Sequence, residues 1–255
     1  MSTIVSIHSY RGGTGKSNLT ANLASSLVQQ GKRAAVIDTD IQSLGLHVLF
    51  GLDVQTTGLT LNDYLYGRCS IEQAAYDVTS KLAPHVSPGG VLYLIPSSIK
   101  ASEITRVLRE GYEVNLLIDG FRTLMKTFRL DYLFIDTHPG LNEETLLSII
   151  ISDTLVLILR PDQQDFQGTA VTVEVARRLK VKNLLLVVNN ALPKLDFESL
   201  RQQVQDTYNA PVGCILPASE EMIELGSAGL FSLKYPEHPY SQGVREIAAQ
   251  IVSTV

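Results

Sequence analysis

Near its amino terminus the chain reads Ser9-Tyr10-Arg11-Gly12-Gly13-Thr14-Gly15-Lys16-Ser17, a glycine-rich segment that ends in a lysine and a serine. The residues before it, Thr3 to His8, form a short, mostly apolar run with β-branched side chains, which predicts a buried strand. The residues after it, from Ser17 to Gln30, place apolar side chains at helical spacing and stop at Gly31, which predicts a helix. The order strand, glycine loop, helix is typical of a phosphate-binding loop.

The residue types of this loop suit a triphosphate. Glycine lets backbone N–H groups turn towards one point, and the start of the following helix adds its partial positive charge there. Lys16 is then placed to reach the β- and γ-phosphates, and the Ser17 hydroxyl to bind Mg²⁺. The flanking strand and helix disfavour the alternative, an ordinary glycine turn that happens to precede lysine and serine.

The loop departs from the usual pattern G-x-x-x-x-G-K-[ST], because Tyr10 stands where the first glycine is expected. It resembles instead the deviant Walker A box, K-G-G-x-G-K-[ST], of the MinD/ParA family of ATPases, with Arg11 in place of that family's additional lysine. The resemblance implies that ATP or ADP is bound by Gly12, Gly13, Thr14, Gly15, Lys16, Ser17 and Asn18.

Two aspartates follow the next predicted strand, Arg33 to Ile37, in the sequence Asp38-Thr39-Asp40. Carboxylates at the carboxyl end of a parallel strand lie where open α/β sheets bind ligands. Either one alone could instead cap a following helix. The MinD/ParA family carries a D-x-D motif at this position. The resemblance therefore implies that Asp40 positions or activates the attacking water and that Asp38 helps to hold the metal.

A third acidic residue ends the run Tyr132-Leu133-Phe134-Ile135-Asp136. Four apolar residues before an aspartate are the Walker B pattern, in which the carboxylate orients Mg²⁺, often through a water. Combined with the loop, this pattern predicts a magnesium site that includes Ser17 and Asp136, to which the family resemblance adds Asp38.

The family continues this motif as D-[TS]-x-[PA]-G, which Pro139 and Gly140 match. His138 replaces a residue that is commonly proline in the family. Its chemistry would suit a catalytic base, but the family hydrolyses ATP without a histidine, and the resemblance therefore disfavours that role.

The base of the nucleotide is predicted to lie against residues from the second half of the chain. Leu184 to Val188 reads as a central strand, and the family has an asparagine at its end that binds the adenine edge. An asparagine donates and accepts hydrogen bonds at once, which suits adenine. Asn189 is the better match, although Asn190 and an ordinary turn asparagine stay open. By resemblance, the segment that begins at Pro217 closes over the base.

Other segments carry weaker signals. Thr60 to Tyr66 and Ser70 to Tyr76 are predicted as two short helices over one edge of the sheet, and Gln167 to Lys180 as a helix with Val171, Val175 and Leu179 on one face. The turn before that last helix offers Arg160, Pro161 and Asp165 as secondary contacts to the nucleotide or a dimer partner, by resemblance. The densest basic cluster is a candidate for non-specific DNA contact, or simply the cationic end of a helix: Arg177, Arg178, Lys180 and Lys182.

Composition narrows the class of protein. The chain has 255 residues, 45% of them hydrophobic, 18% charged, and a net charge of −5, which favours a packed globule whose affinity for DNA would have to be local. Two distant cysteines favour a reduced, cytoplasmic setting. We expect neither a signal peptide nor a transmembrane segment. The apolar stripe from Gln242 to Val255 contains one basic residue, Arg245, and therefore predicts a core-packing helix rather than a membrane-targeting one.

Strand-like and helix-like segments alternate to the end without a linker. This alternation predicts an α/β fold, with a doubly wound, mainly parallel sheet, helices on both faces, and residues 1–255 in one domain.

The resemblance implies an ATPase that forms a homodimer with ATP and Mg²⁺, with Arg11 reaching the partner's phosphates in the manner of an arginine finger. The predicted function is a slow, partner-stimulated switch that positions or partitions a cellular cargo. The alternative is a scaffold that signals by ATP or ADP occupancy with little hydrolysis. Lys16, Asp40 and Arg11 are the predicted catalytic residues.

Overall fold

The computed structural model of the protein describes residues 2–41, 45–54 and 58–254. Within these residues the strands are β1 (Thr3–His8), β2 (Arg33–Asp38), β3 (Tyr76–Asp77), β4 (Val91–Ile95), β5 (Tyr132–Asp136), β6 (Thr154–Leu159), β7 (Asn183–Ala191) and β8 (Val212–Pro217). They form one sheet in the order β3-β4-β2-β5-β1-β6-β7-β8. All pairs are parallel except β3 with β4.

The described helices are α1 (Lys16–Gln29), α2 (Leu46–Leu49), α3 (Leu61–Leu65), α4 (Ala101–Glu110), α5 (Asn115–Thr127), α6 (Glu143–Ile151), α7 (Gln163–Arg178), α8 (Phe197–Tyr208), α9 (Glu220–Leu225), α10 (Phe231–Lys234) and α11 (Pro239–Ser253). Two short 3₁₀ turns span Ile71–Ala74 and Thr79–Leu82.

Successive residues of the central strands point to opposite faces of the sheet. Val36 belongs to the hydrophobic cluster that holds α1 and α11 on one face, whereas Ala35 and Ile37 pack with α3 and α5 on the other. Further along that second face, a third cluster joins β6 and β7 to α7 and α8. These layers confirm the predicted doubly wound α/β fold with helices on both faces.

The strand and helix around the glycine loop lie where the sequence places them, with β1 at Thr3–His8 and α1 ending one residue before Gln30. Because β1 is central, between β5 and β6, the loop at its carboxyl end is surrounded by the ends of other parallel strands. The loop therefore occupies the position where open α/β sheets bind ligands.

Helix α7 differs from its prediction in where it begins and in the exposure of one apolar residue. It begins at Gln163 rather than Gln167, because the Asp162 side chain accepts hydrogen bonds from the next backbone N–H groups and caps the helix. Its buried face includes Val173 and Ala176. Of the three apolar residues predicted on one face, Val175 and Leu179 are half-buried and Leu179 packs against the third cluster, whereas Val171 is exposed.

The prediction for residues 70–76 was also wrong in part. Only Ile71–Ala74 form a helical turn, of the 3₁₀ type, and Tyr76 starts the antiparallel edge strand β3. A two-residue strand has too few positions to show a period, so the sequence carries no signal for it. Strand β7, predicted as central, has only β8 between it and the edge of the described sheet.

The last helix, α11, covers the same face as α1. Val244, Ile247, Ala248 and Ile251 are buried in the shared cluster, which confirms the predicted core-packing helix. Across the described ranges, none of the helices combines the length and the apolar character that crossing a bilayer requires.

Candidate functional site

The glycine loop turns sharply just before α1. Gly13 and Gly15 have left-handed backbone angles, φ 73° and φ 93°, which L side chains rarely adopt. The Asn189 amide from β7 donates to the Thr14 carbonyl at 2.8 Å, and a Cβ on Gly15 would lie 2.4 Å from the same amide nitrogen. The loop is thus shaped by its glycines and held in place by a strand far along the chain.

Tyr10 departs from the usual loop pattern, and α7 accommodates it. The Tyr10 ring lies against Gly168, where a Cβ would come within 2.1 Å of the Tyr10 Cδ1 atom. Glycine at position 168 therefore makes room for a large side chain where other phosphate loops have glycine. The sequence shows both residues but not that they meet.

We expect Gly168→Ala to disturb the loop, because its methyl group must displace the base of the Tyr10 side chain. Affinity for a fluorescent ATP analogue should fall about tenfold, because the displaced loop would no longer direct its backbone N–H groups at the phosphates. Tyr10→Gly in the same chain should restore most of the affinity. Equal losses in the single and double variants would contradict the steric explanation.

Three carboxylates converge beside the loop. Asp38 ends β2 and Asp136 ends β5, and the two residues are paired in the register of these neighbouring strands. The Asp38 carboxylate accepts a hydrogen bond from the Asp40 N–H at 3.1 Å. Lys16 Nζ lies 3.6 Å from Asp40 Oδ2. All four side chains are buried, so the structure brings together the predicted lysine and all three predicted aspartates.

Burial and mutual repulsion change the acidity of this cluster. Burial raises the pKa of Asp38 well above its ordinary value, and the neighbouring charges of Asp136 and Asp40 raise it further. Burial also raises the pKa of Asp136 to about 6, against the opposing effects of Lys16 and the Ser17 hydroxyl. A further positive charge beside these carboxyl groups would therefore stabilise their ionised forms.

This repulsion predicts that Asp38→Asn stabilises the ligand-free protein. A carboxyl whose folded-state pKa is raised destabilises the fold above that pKa, and the penalty disappears as the pH falls towards the unfolded value. We expect the variant's free energy of unfolding to exceed the wild-type value by roughly 1–3 kcal/mol at pH 8, and by less at pH 5. Urea denaturation at both pH values measures this difference.

The stability of the variant must be compared with that of the wild type, because His8 changes stability with pH in the opposite direction to Asp38. Burial, and then the nearby Lys16 charge, lower the pKa of His8 to about 3, so the fold loses stability as the pH falls below the ordinary histidine range. His8 is present in both proteins and its effect cancels in the difference. A gain that grows towards pH 5 would contradict the assignment to Asp38.

The residues of this cluster fit a magnesium ion held jointly with phosphate. Asp38 Oδ2 and Asp136 Oδ2 are buried without a hydrogen-bond partner, as is the Thr14 hydroxyl of the loop. Buried polar atoms of this kind normally have partners. No group of three or more metal-binding side chains suited to an all-protein site occurs in the described ranges. Magnesium suits such a place because it is usually bound by one or two carboxylates, waters and substrate phosphates.

A cavity of about 160 Å³ opens on the other side of the loop. Its lining consists of Gly13, Gly15, Asn18, Asn189, Asn190, Pro217, Ser219, Met222 and Tyr240. Asn189 is buried with its Oδ1 atom unpartnered, whereas Asn190 is exposed. The predicted base contacts Asn18, Asn189 and Pro217 are thus brought together. Sequence reasoning missed Met222 and Tyr240, because no motif marks them and both also pack in or against the hydrophobic core.

Arg11 pairs with two acidic residues of another element. Its guanidinium is 3.4 Å from Asp165 Oδ1 and 3.7 Å from Asp162 Oδ1, both at the start of α7. Asp165 is almost completely buried and also binds Arg160, at 3.0 Å from Nε. Arg160 and Asp165, predicted as secondary contacts, therefore form an ion-pair network with Arg11 of the same chain.

His138 and Lys16 approach different oxygens of the Asp40 carboxylate. The Nε2 atom of His138 is 3.9 Å from Asp40 Oδ1, while Lys16 approaches Asp40 Oδ2. The sequence identified His138 as a departure from the family motif but not as a neighbour of Asp40.

The basic cluster at the end of α7 is largely engaged within the chain. Arg177 donates to the backbone carbonyls of Tyr208 and Asn209. Arg178 pairs with Glu174, and Lys182 pairs with Asp153 at 2.6 Å. These contacts favour the interpretation as a helix end, and DNA contact stays a prediction.

The sequence of the chain is similar to those of known ATP-binding proteins. The AAA domain family model matches residues 2–192. An uncharacterized ATP-binding protein of Methanocaldococcus jannaschii is 28% identical over 256 residues, covering 99% of this chain and 88% of that protein.

Solved structures share the whole fold. The cell division ATPase MinD of Pyrococcus furiosus superposes with a TM-score of 0.82 at 21% identity, covering 100% of both chains. The septum site-determining protein MinD of Pyrococcus horikoshii, complexed with Mg-ADP, gives 0.78 at 22% identity over 98% of this chain and 96% of that one. The chain belongs to the AAA domain family and has the P-loop ATPase fold of the MinD/ParA type.

Proposed function

We propose that the protein is an ATP-dependent dimerisation switch that hydrolyses ATP slowly and positions or partitions a cellular cargo. The observation that carries this proposal is the buried contact of Lys16 with Asp40, beside the paired carboxyls of Asp38 and Asp136. A lysine for the phosphates, an acid for the water and two acids for a metal lie at one loop.

Each part of the site has a distinct task in this proposal. The loop glycines and the start of α1 bind the phosphates, and Lys16 neutralises their charge. Ser17, Asp38 and Asp136 would hold Mg²⁺, which when bound stabilises the charge that develops on the phosphates. Asp40 orients the attacking water. Asn189, Asn18 and Pro217 enclose the base.

The switch character is supported by two further points. MinD of Pyrococcus furiosus is described as a cell division ATPase, and that of Pyrococcus horikoshii as a septum site-determining protein. In this chain Arg11 is 39% exposed at the same edge of the sheet as the loop, where a second copy could meet it. Residues 1–255 would act as one domain in the cytoplasm, stimulated by a partner protein.

A nucleotide-binding scaffold with little hydrolysis is the second candidate. One observation favours it: Arg11 is bound by Asp162 and Asp165 of its own chain instead of extending away from it. If these contacts persist with ATP, the second protomer supplies no cation to the phosphates and turnover stays negligible.

Light scattering after size exclusion separates the two candidates. Asp40→Ala should retain ATP, because Asp40 acts on water rather than on binding, and should therefore accumulate in the ATP state. We expect its mass to double with Mg-ATP and to stay monomeric with Mg-ADP or without nucleotide. A constant mass in all three conditions, combined with measurable nucleotide binding, would support the scaffold.

A further inference from the structure

The segment that follows β5 places His138 against the phosphate loop. The Gly140 N–H donates to the Ser9 carbonyl at 3.2 Å, and the Thr145 hydroxyl donates to the His138 carbonyl at 3.2 Å. Pro139 lies 3.9 Å from the position of a Cβ on Gly12. The backbone around His138 is thus tied to the loop on one side and to the first turn of α6 on the other.

One ring nitrogen of His138 makes a hydrogen bond to the backbone. Nδ1 lies 2.7 Å from the Pro139 carbonyl oxygen. A carbonyl oxygen can only accept, so Nδ1 must carry the hydrogen of this bond. In the neutral imidazole the other nitrogen, Nε2, is then an acceptor.

The Nε2 atom of His138 faces a second acceptor, the carboxylate of Asp40. Nε2 lies 3.9 Å from Asp40 Oδ1, which is too far for a direct hydrogen bond. Polar atoms separated by more than about 3.5 Å are commonly joined by a water. A water that donates one O–H to Nε2 and the other to Asp40 Oδ1 has its oxygen lone pairs directed away from both.

We infer that His138 is a positioning residue for ATP hydrolysis, which together with Asp40 holds the attacking water by its two hydrogens. The inference rests on the proposed hydrolytic function. It extends that function by a residue that lies outside the Lys16 and carboxylate set. Two acceptors fix the orientation of the water better than Asp40 alone, because a single hydrogen bond leaves the water free to rotate.

The chemical step balances with these two residues. The water oxygen forms a bond to the γ-phosphorus, and the bond from that phosphorus to the bridging oxygen breaks, so that ADP leaves with the bonding electrons. One water proton passes to the Asp40 carboxylate and then to solvent. The other stays on the transferred oxygen as a hydroxyl of the phosphate product, next to Nε2 of His138.

Two amide variants separate positioning from packing. Glutamine has an amide oxygen at about the distance of Nε2 from the backbone, whereas the asparagine amide reaches only the place of Nδ1. Single-turnover hydrolysis, with protein in excess of Mg-ATP, should slow about 100-fold in His138→Asn and less than about fivefold in His138→Gln. The affinity for a fluorescent ATP analogue should be unchanged in both, since the effect is on the water and not on binding.

His85→Gln is the matched control, because His85 is exposed and lies outside the site; it should hydrolyse ATP at the wild-type rate. Equal rates in His138→Asn and His138→Gln, whether both slow or both normal, would overturn the inference while leaving the proposed function intact. If asparagine retains activity and glutamine does not, the Pro139 contact is what matters and the inference also fails. A wild-type protein that binds ATP but leaves it intact for hours would instead refute the hydrolytic function, and this inference with it.

Discussion

Replacing Lys16 with alanine should abolish ATP hydrolysis, with a loss of at least about 10³-fold. Lys16 is the cation at the centre of the site, 3.6 Å from Asp40 and close enough to lower the pKa of Asp136. Without it, the phosphates of ATP would enter a buried region that already contains three carboxyl groups. Electrostatic repulsion should therefore weaken binding as well as the chemical step.

Two measurements on Lys16→Ala distinguish these effects. Titration with a fluorescent ATP analogue reports binding, and release of phosphate under saturating nucleotide reports the chemical step. Lys126→Ala is a suitable control, because Lys126 is exposed on α5 on the far side of the core cluster that joins that helix to the sheet. A hydrolysis rate within about tenfold of wild type would contradict the role of Lys16 as the phosphate-binding lysine.

The features of this site that depend on one continuous segment of sequence could be predicted. The strand before the loop, the helix after it and the strands ending at Asp38 and Asp136 all have local signals, namely an apolar run and a polar residue at its end. Because the carboxyl ends of parallel strands meet at one edge of a sheet, the meeting of these residues followed from the predicted topology.

Contacts between distant segments could not be predicted in this way. The packing of Tyr10 on Gly168 and the ion pair of Arg11 with Asp165 join residues more than 150 positions apart, and neither segment has a local feature that names the other. The approach of His138 to Asp40 depends on side-chain rotamers at the ends of two strands. Such contacts depend on how distant segments pack together, and the hydrophobic periodicity of the sequence carries no information about that.

The second large effect is expected for Arg11→Ala. An arginine that stabilises the transferred phosphoryl group contributes about 10³-fold or more to turnover. We expect a comparable loss of hydrolysis in this variant, with ATP binding retained, because Arg11 pairs with Asp162 and Asp165 within its own chain and its proposed role is at the partner's phosphates. Arg11→Lys should recover only part of the activity, because lysine lacks the planar fork that binds two oxygens at once.

The cost of removing Arg11 is confined to hydrolysis only if Asp165 keeps another partner. Arg160 remains bound to Asp165 at 3.0 Å in the present arrangement, so the buried carboxylate is not left unpaired. The thermal midpoint of Arg11→Ala should therefore stay close to the wild-type value. A large drop would indicate that Arg11 serves the fold rather than the reaction.

Mixing two inactive variants tests whether Arg11 acts on the second protomer. Arg11→Ala keeps Lys16 and Asp40 in its own site, while Asp40→Ala keeps Arg11. In a mixed dimer the site of the Arg11→Ala protomer is complete if arginine is supplied by the other chain. An equal mixture should then recover about one quarter of the wild-type rate, since half of randomly formed dimers are mixed and each has one complete site. If Arg11 acted within its own chain, every site in the mixture would lack one residue and the mixture would stay inactive.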